Sequence, residues 1–464
     1  MKRTLTKDTV GKIGEEVLIK GWVRIRRDHG KLIFLDVRDR EGIVQVVVNP
    51  KISENAYKIA EQIRSEFVVE ITGKVNARPQ NAVNNDIVSG TVELEATEIK
   101  ILAEAETPPF DLATEGTEVN EEIRLKYRYL DLRRERMLRN VFMRHKIIKL
   151  IRDFLDKDGF IEIETPILAK STPEGARDYI VPSRVDKGMF YALPQSPQQF
   201  KQLLMVAGME KYFQIARCFR DEDTRADRQP EFTQMDLEMS FVESTDVMAV
   251  NEQMLIEIIK TLYPHKKIQE TPFPVLTYAE VMKKYGSDRP DLRSDKNDPD
   301  LLAFCWVVDF PFFEKTDQGS WTFTHNPFSS PKAEDMELLM AKKDIDKIIT
   351  TQYDIVLNGF EIGGGSIRNH KPEALKKVFE IMGYSDEQIE ANFGHMLKAL
   401  SFGAPPHGGI AWGLDRLVTI LQNEGSIREV IAFAKTGEGR DLMMESPSGV
   451  SQKQLTELGI KHVK

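Results

Sequence analysis

The chain has 464 residues, more than one hydrophobic core usually serves, so we expect two or three domains. Its net charge of −9 argues against a protein that coats nucleic acid indiscriminately, but it is compatible with local basic patches such as residues 24–27 and 124–139. The sequence has no apolar run of about 18 residues and no signal-peptide core at its start. Its two cysteines have no metal-ligand spacing, so a reduced, cytoplasmic protein is the simplest interpretation.

Residues 1–102 predict a small β-barrel. Five strand-like runs, with a helical segment after the third, are typical of an OB-fold. The runs cover residues 17–26, 31–39, 43–49, 67–75 and 91–102, and the helix covers 54–64. Such barrels bind single-stranded nucleic acid with cationic and aromatic side chains on one face. Arg24, Arg26, Phe34 and Gln45 are candidates for that face, although the pattern fits a core position for Phe34 equally well.

Residues 103–119 break the periodicity and predict a linker, marked by Pro108, Pro109 and Gly116. A helix over 139–157 then shows apolar residues at helical spacing, and a short strand at 160–164 follows before Pro166. Next come TPEGA, at 172–176, and LPQSPQQFK, at 193–201. The second stretch opens a helix with Ser196 as its N-cap. Lys201, one turn further on, would ordinarily be solvated.

Residues 214–238 predict two strands, 214–220 and 232–239, joined by a charged loop. In the second strand Phe232, Gln234, Asp236 and Glu238 fall on one face. A half-buried hairpin usually leaves its polar face wet. Together with Arg220, this face also has the composition to bind a nucleotide and a small zwitterion.

Residues 353–368 predict a hairpin that turns at Asn358-Gly359. In that register Asp354 is a diagonal neighbour of Glu361, so both carboxylates reach one bound ion. Two acids on one face suit Mg²⁺ where a triphosphate supplies further oxygens. The glycines at 363–365 permit close approach of a ligand.

The remaining elements are simpler. Residues 247–263, 372–383 and 386–400 predict helices, residues 285–301 are rich in turns, and 304–310 predict an apolar strand. His325 lies in a loop that either covers a site or is merely exposed. After Pro406, a glycine-containing strand delivers Arg416 at the start of a helix.

Three stretches, taken together, resemble the motifs of the class II aminoacyl-tRNA synthetases. Motif 1 is the helix over 139–157, the strand at 160–164 and Pro166. Motif 2 is Phe219-Arg220-Asp221-Glu222 followed by Phe232 and Glu238. Motif 3 is the glycine-containing stretch that ends at Arg416. TPEGARDY, QSPQQFKQLLM, RCFRDED and FEIGGGSIR are similar to bacterial-type aspartyl-tRNA synthetases in particular. The resemblance implies an α+β fold in which an OB-fold precedes a catalytic domain built on an antiparallel sheet flanked by helices. It also implies a homodimer.

The implied domains are an anticodon-binding barrel at 1–102, a hinge at 103–119 and a catalytic domain at 120–464. Members of this bacterial family usually carry an extra domain between motifs 2 and 3. The present chain has no room for one near 291–304.

The resemblance assigns roles to individual residues. Catalysis falls to Arg220, Glu361 and Arg416, and Mg²⁺ to Asp354 and Glu361. Aspartate would contact Glu174, Gln198, Lys201, Arg220, Asp236, His325 and Arg368. ATP would contact Arg220, Asp221, Glu222, Gln229, Phe232, Glu361, Gly413, Leu414, Asp415 and Arg416. The tRNA anticodon would contact Arg26, His29, Phe34 and Gln45.

Two alternatives compete with aspartate activation and charging of tRNA-Asp. The first is an asparaginyl-tRNA synthetase, although two cations, Lys201 and Arg368, suit a carboxylate side chain better than an amide. The second is a non-catalytic RNA-binding relative that keeps the fold. Within the aspartyl family a histidine at the position of His29 tends to accompany enzymes that also charge tRNA-Asn. That choice stays open here.

Overall fold

The computed structural model describes residues 1–171 and 174–461, so Thr172 and Pro173 of the TPEGA stretch lie outside it. By its internal contacts the chain divides into two compact units, Met1–Leu138 and Arg139–Lys464. No helix within the two described ranges is both long and apolar enough to cross a membrane.

The first unit contains a closed five-stranded barrel with the strand order β1-β2-β3-β5-β4. Its elements are β1 (Glu16–His29), β2 (Leu32–Asp39), β3 (Gly42–Val48), α1 (Glu54–Ala60), β4 (Val68–Ala77) and β5 (Val92–Ala103). Alternate residues such as Val23, Leu35 and Val46 point inward and are fully buried. This arrangement confirms the predicted OB-fold; the helix after the third strand is shorter than predicted.

Two short helices follow the linker, α2 (Glu121–Lys126) and α3 (Arg128–Asp131). Asp131 is fully buried and accepts hydrogen bonds from Arg128 Nη1 at 2.8 Å and Arg134 Nε at 2.9 Å. Arg124 and Arg136 are buried as well. The expectation of an exposed basic patch is therefore wrong for these four arginines, because a buried carboxylate requires cationic partners of its own.

The second unit is built on an eight-stranded sheet with the order β12-β14-β17-β18-β19-β10-β9-β6. The strands are antiparallel except for a parallel pair at each edge. The strands from β6 onward are β6 (Ile161–Glu162), β7 (Ile180–Pro182), β8 (Phe190–Ala192), β9 (Lys211–Phe219), β10 (Glu231–Ser240), β11 (Lys267–Ile268), β12 (Val275–Thr277), β13 (Leu301–Leu302), β14 (Phe304–Val308), β15 (Phe313–Lys315), β16 (Trp321–Phe323), β17 (Gln352–Leu357), β18 (Phe360–Ile367) and β19 (His407–Gly413). The helices are α4 (Glu135–Lys157), α5 (Gln198–Val206), α6 (Ser244–Leu262), α7 (Tyr278–Tyr285), α8 (Met336–Ala341), α9 (Pro372–Ile381), α10 (Asp386–Leu400), α11 (Leu414–Leu421) and α12 (Gln452–Leu458).

One face of this sheet packs against helices α4, α6 and α11. Ile151, Met254 and Leu417 from these helices share a hydrophobic core with Leu237 and Trp412 of the sheet. Because side chains alternate across a strand, the neighbours of those sheet residues point to the opposite face. The helices thus leave that second face free to carry polar chemistry.

Residues 286–300, between α7 and β13, have neither helix nor strand. Their path is fixed from outside by Gln269, which donates to the Leu292 carbonyl at 3.0 Å and accepts from the Ser294 amide at 2.8 Å. Lys266 binds Asp300 at 2.9 Å. The segment is therefore anchored near its middle and at its end.

Candidate active site

The polar face of the central sheet is buried, not wet. Asp236 and Glu238 of β10 are 1% and 0% exposed. The helix α5 packs against β10 and brings Lys201, itself 1% exposed, onto the same face. The alternation of β10 was predicted correctly, but the usual solvation of such a face does not apply, because α5 covers it.

Lys201 is paired with two acids of β10. Its Nζ lies 2.5 Å from Asp236 Oδ1 and 3.3 Å from Glu238 Oε2. Burial raises the pKa of Asp236, although Lys201 opposes that shift. Asp236 Oδ2 is buried and has no hydrogen-bond partner in the described part of the chain. This oxygen is a free acceptor for a cationic group of a ligand.

Arg368, just beyond β18, binds Glu238 at two points. Nε lies 2.8 Å from Oε1 and Nη2 lies 3.1 Å from Oε2, while Nη1 donates to Ser366 Oγ at 2.8 Å. Burial alone would raise the pKa of Glu238, but Arg368 and Lys201 outweigh it and hold the pKa at about 2. Two cations and two carboxylates thus form one buried network.

Glu174 and Gln198 are both held by neighbouring side chains near the start of α5. Ser196 Oγ donates to Glu174 Oε2 at 2.9 Å. Gln198 Oε1 accepts from Asn326 Nδ2 at 3.3 Å, which ties the loop after His325 to α5. The helix begins one residue later than predicted, with Pro197 at its N-cap, but the Ser196 hydroxyl still accepts from the Gln198 amide at 3.3 Å while it donates to Glu174.

The predicted two-residue turn at Asn358-Gly359 is present, with φ of 52° and 87°. Val356 lies opposite Glu361, as predicted, but a bulge before Val356 pairs Asp354 with Gly364, so the predicted diagonal pairing of Asp354 with Glu361 is wrong. A Cβ on Gly364 would lie 2.7 Å from Asp354 Oδ1, so a glycine is required there.

The two carboxylates of this hairpin affect each other electrostatically. Burial, and then the charge of Asp354, raise the pKa of Glu361. Asp354 contacts Gln352 Nε2 at 2.6 Å and His325 Nε2 at 3.3 Å. Burial alone would lower the pKa of His325, yet Asp354 raises it to about 9. Within residues 1–171 and 174–461 no three His, Cys, Asp or Glu side chains are grouped so that they could hold a metal ion.

A cavity of about 220 Å³ opens beside this hairpin and is lined by Arg220, Gln229, Phe232, Glu361 and Arg416, among others. The Arg220 guanidinium lies 5.2 Å from the centre of the Phe232 ring. Arg416 donates to the Glu361 carbonyl and lies 3.1 Å from Asp227. The Nε atoms of Arg220 and Arg416 are both buried without a described partner, as expected of groups that await an anion.

Of four other predicted nucleotide contacts, Gln229 and Asp415 line this cavity, whereas Asp221 and Leu414 do not. Asp221 lines a neighbouring cavity, which shares Glu222 with the first. Gln229 reaches the cavity wall, but its amide binds the backbone of Lys435 at both ends. The Leu414 side chain belongs to the hydrophobic core. Asp415 accepts from the Thr233 amide and from Arg144, so its carboxylate fixes the start of α11.

The barrel presents a polar outer face around Phe34, which is half-buried. Phe34 lies opposite Arg27 on β1, and Gln45 lies opposite Asp36. A bulge between Val23 and Ile25 shifts the register, so Arg26 pairs with core residue Leu35. The assignment of Arg26 to the face of Phe34 is therefore wrong, and Arg27, which donates to Asp36 at 2.8 Å, takes its place. His29 is exposed at the end of β1.

Two family models match this chain. Residues 120–437 match the class II tRNA synthetases of the D, K and N group, and residues 17–102 match an OB-fold nucleic acid binding domain. The chain belongs to the class II tRNA synthetases. An aspartate–tRNA ligase of Macrococcus caseolyticus is 43% identical over 97% of this chain and 96% of its own length. An aspartate–tRNA(Asp/Asn) ligase of Syntrophomonas wolfei is 42% identical over 99% of each.

Solved structures of other class II synthetases share the fold. The asparaginyl-tRNA synthetase of Pyrococcus horikoshii covers 94% of this chain and 98% of its own with a TM-score of 0.75, at 21% identity. The aspartyl-tRNA synthetase of Entamoeba histolytica gives 0.73, with 93% and 91% covered, at 23% identity. The alignment with the Macrococcus relative runs over 575 residues against 464 in this chain, so that synthetase carries residues that this one lacks.

Three residues of this synthetase's polar network were not assigned from the sequence. The sequence placed Glu238 on the polar face of β10 but assigned it no contact with a substrate. Its position two residues after Asp236, on the same face of the strand, was the signal that could have indicated one. Ser196 and Ser366 hold Glu174 and Arg368. No local pattern distinguishes these two serines, because their partners come from elsewhere in the chain.

Proposed function

We propose that this synthetase is an aspartate–tRNA ligase, which activates L-aspartate with ATP and transfers it to the 3′ end of tRNA-Asp. The observation that carries the proposal is the pair of buried cations, Lys201 and Arg368, on the polar face beside the nucleotide cavity. The names of the full-length relatives support it. A lysyl enzyme would need acids at those positions, and an asparaginyl enzyme has no use for so much positive charge.

The first step joins the aspartate α-carboxylate to the α-phosphorus of ATP and releases pyrophosphate. The attacking oxygen comes from the substrate, so the protein supplies positioning and charge neutralisation rather than a nucleophile. Arg220 neutralises the α-phosphate and the α-carboxylate, and Arg416 neutralises the far end of the triphosphate. Phe232 stacks on adenine, with Arg416 on the other side of the ring.

Asp354 and Glu361 would hold Mg²⁺, and the donor set fits. Both residues offer carboxylate oxygens, and the pKa of Glu361 is raised by burial and by the charge of Asp354. A divalent cation bound between them would relieve that repulsion. When bound with ATP it supplies neutralisation of phosphate charge.

Recognition of aspartate divides between its two ends. Lys201 and Arg368 face the side-chain carboxylate. Glu174, Gln198 and the free Oδ2 of Asp236 accept from the α-ammonium group. His325 closes over the substrate from the loop that already contacts Asp354.

Charging of tRNA-Asn is a second candidate activity. The Syntrophomonas relative is named for both tRNAs, whereas the Macrococcus relative, of nearly equal identity, is named for aspartate alone. Similarity therefore does not decide between them. His29, exposed at the tip of the barrel beside the face of Phe34 and Gln45, favours the broader activity.

The assembly that we propose is a cytoplasmic homodimer formed through residues 139–166. Its chain comprises an anticodon-binding barrel at 1–102, a hinge at 103–119 and a catalytic domain at 120–464, without the insert near 291–304. The exposed apolar side chains of Ile161, Ile167 and Leu168, next to the outermost strand β6, support that interface.

Aspartate-dependent exchange of pyrophosphate into ATP tests the first step, with asparagine and lysine as matched controls. Charging of purified tRNA-Asp and tRNA-Asn then tests the second. Exchange with asparagine as strong as with aspartate would favour the asparaginyl alternative. Absence of exchange with all three amino acids would favour a non-catalytic relative.

A further inference from the structure

A row of hydrogen bonds connects the start of β19 to the amino-acid site through three buried side chains. His407 Nδ1 lies 2.7 Å from the Pro405 carbonyl, and His407 Nε2 lies 3.2 Å from Gln202 Nε2. Gln202 Oε1 accepts from Gln198 Nε2 at 3.0 Å. His407 and Gln202 are 0% exposed and Gln198 is 5% exposed.

The direction of every bond in this row is determined by its first member. A carbonyl can only accept, so His407 Nδ1 must carry the proton that it donates to Pro405. In a neutral imidazole Nε2 is then an acceptor, and Gln202 must donate to it through its amide nitrogen. The Gln202 oxygen is thereby turned toward Gln198.

The same reasoning fixes Gln198. Because Gln202 offers an acceptor, Gln198 uses its amide nitrogen there and is left with Oε1 at the other end. Asn326 Nδ2 donates to that oxygen at 3.3 Å, while Asn326 Oδ1 accepts from the Phe328 amide at 2.8 Å. The oxygen is the end that an ammonium group requires.

We propose that His407 and Gln202 are positioning residues, which hold the Gln198 amide with its oxygen toward the α-ammonium group of the substrate. Neither residue touches the substrate. The inference rests on the proposed contact between Gln198 and that ammonium group. If His407 carried a second proton, Gln202 and Gln198 would both have to turn over, and an N–H would face the ammonium group.

The surroundings keep His407 neutral. Burial lowers its pKa, and the nearby positive charge of Arg368 acts in the same direction, as does His370, whose ring centre lies 6.5 Å away. Glu238 and the Pro405 carbonyl oppose the shift without reversing it.

Gln202→Met tests the relay, because methionine keeps the length of the side chain and removes both hydrogen bonds. The readouts are the KM for aspartate and the inhibition constant of succinate, which is aspartate without its ammonium group. We expect the aspartate KM to rise about tenfold and the succinate constant to change by no more than about twofold. The KM for ATP should stay the same. The ratio of the two constants does not depend on the folded fraction of the sample.

Gln199→Met is the matched control. Gln199 lies on α5 directly after Gln198, is buried like Gln202, and also contacts a histidine, His395, at 2.6 Å. It should leave the ratio unchanged. His407→Gln, which retains an acceptor near the place of Nε2, should lose less aspartate affinity than His407→Asn, which retains only the donor to Pro405.

The proposal is overturned if Gln202→Met weakens aspartate and succinate equally, or weakens neither, or if the two His407 variants behave alike. Gln198→Met separates failure of the relay from failure of the proposed contact between Gln198 and the ammonium group. If that contact does not exist, Gln198→Met leaves the aspartate KM unchanged. Failure of the relay alone would show an effect of Gln198→Met and none of Gln202→Met.

Discussion

Arg368 and Glu238 form a two-point ion pair, 2.8 and 3.1 Å long, in which neither side chain is more than 2% exposed. The pair presents the arginine in one orientation before any substrate arrives. A guanidinium that is already oriented loses little freedom when it binds a second carboxylate.

Arg368→Ala should abolish most aspartate activation while ATP binding persists. Truncating one partner of a desolvated charge pair costs about 2–5 kcal/mol. The substitution also leaves Glu238 buried without Arg368, which would disturb Lys201, so exchange activity should fall by several orders of magnitude. The measurement is aspartate-dependent pyrophosphate exchange, with ATP binding followed separately. Arg217→Ala, which removes an exposed arginine paired with Glu231, is the control. Near-normal exchange in Arg368→Ala would refute the assignment.

The low pKa of Glu238 predicts acid sensitivity. Its pKa is about 2 in the folded protein against 4.5 for an ordinary glutamate. A depressed pKa gives stability that is fully present above the unfolded value and is lost as the pH falls toward the folded one, here from 4.5 to about 2. The full contribution is roughly 3 kcal/mol.

Urea unfolding at a series of pH values measures this contribution. The free energy of unfolding of Glu238→Gln should fall less steeply below about pH 4.5 than that of the wild type, by up to about 1.4 kcal/mol per pH unit. Glu98→Gln, at an exposed position of β5, should keep the wild-type slope. Parallel curves for wild type and Glu238→Gln would contradict the prediction.

The proposed dimer predicts a mass of twice 53.1 kDa in light scattering at micromolar concentration. Ile161→Asp should shift the mass toward the monomer, because it places a charge among apolar side chains that a partner would bury. Ile52→Asp, at an exposed position of similar accessibility in the barrel unit, should leave the dimer intact. A monomer alone for the wild type would exclude the interface.

The choice of tRNA is tested by His29→Leu, with unmodified tRNA-Asp and tRNA-Asn transcripts. An imidazole donates or accepts hydrogen bonds, so it tolerates either pyrimidine at the third anticodon base. We expect the wild type to charge both, and His29→Leu to shift the ratio toward tRNA-Asp by about tenfold, or about 1.4 kcal/mol. His265→Leu, an exposed histidine of the other unit, should not. Wild-type discrimination of about a thousandfold, roughly 4 kcal/mol, would end the proposal.

Local chemistry accounts for what the sequence predicted well. The turn at Asn358-Gly359 follows from two residues that tolerate positive φ, and the pairing of Val356 with Glu361 follows from the turn. The alternation of β10 predicted which side chains share its polar face.

Features that arise between distant segments were not predictable in this way. Because of the bulge after Val23, Arg26 lies on the inner side of β1, and no residue near Val23 predicts a bulge there. The burial of Asp236 depends on α5, and the burial of Arg128 depends on Asp131 and its other cations. The charge pattern of a sequence does not distinguish a solvated patch from a buried network, because both contain the same types of charged residue.

The segment between α7 and β13 is held by Gln269 and Lys266, which belong to the chain before it. Insertions are tolerated best in exposed connections whose flanks keep their own bonds. Foreign sequence placed between Asp295 and Asp298 would leave both anchors in place and the central sheet unchanged. We therefore expect this segment to accept an inserted module, or a reporter, without rebuilding of the second unit.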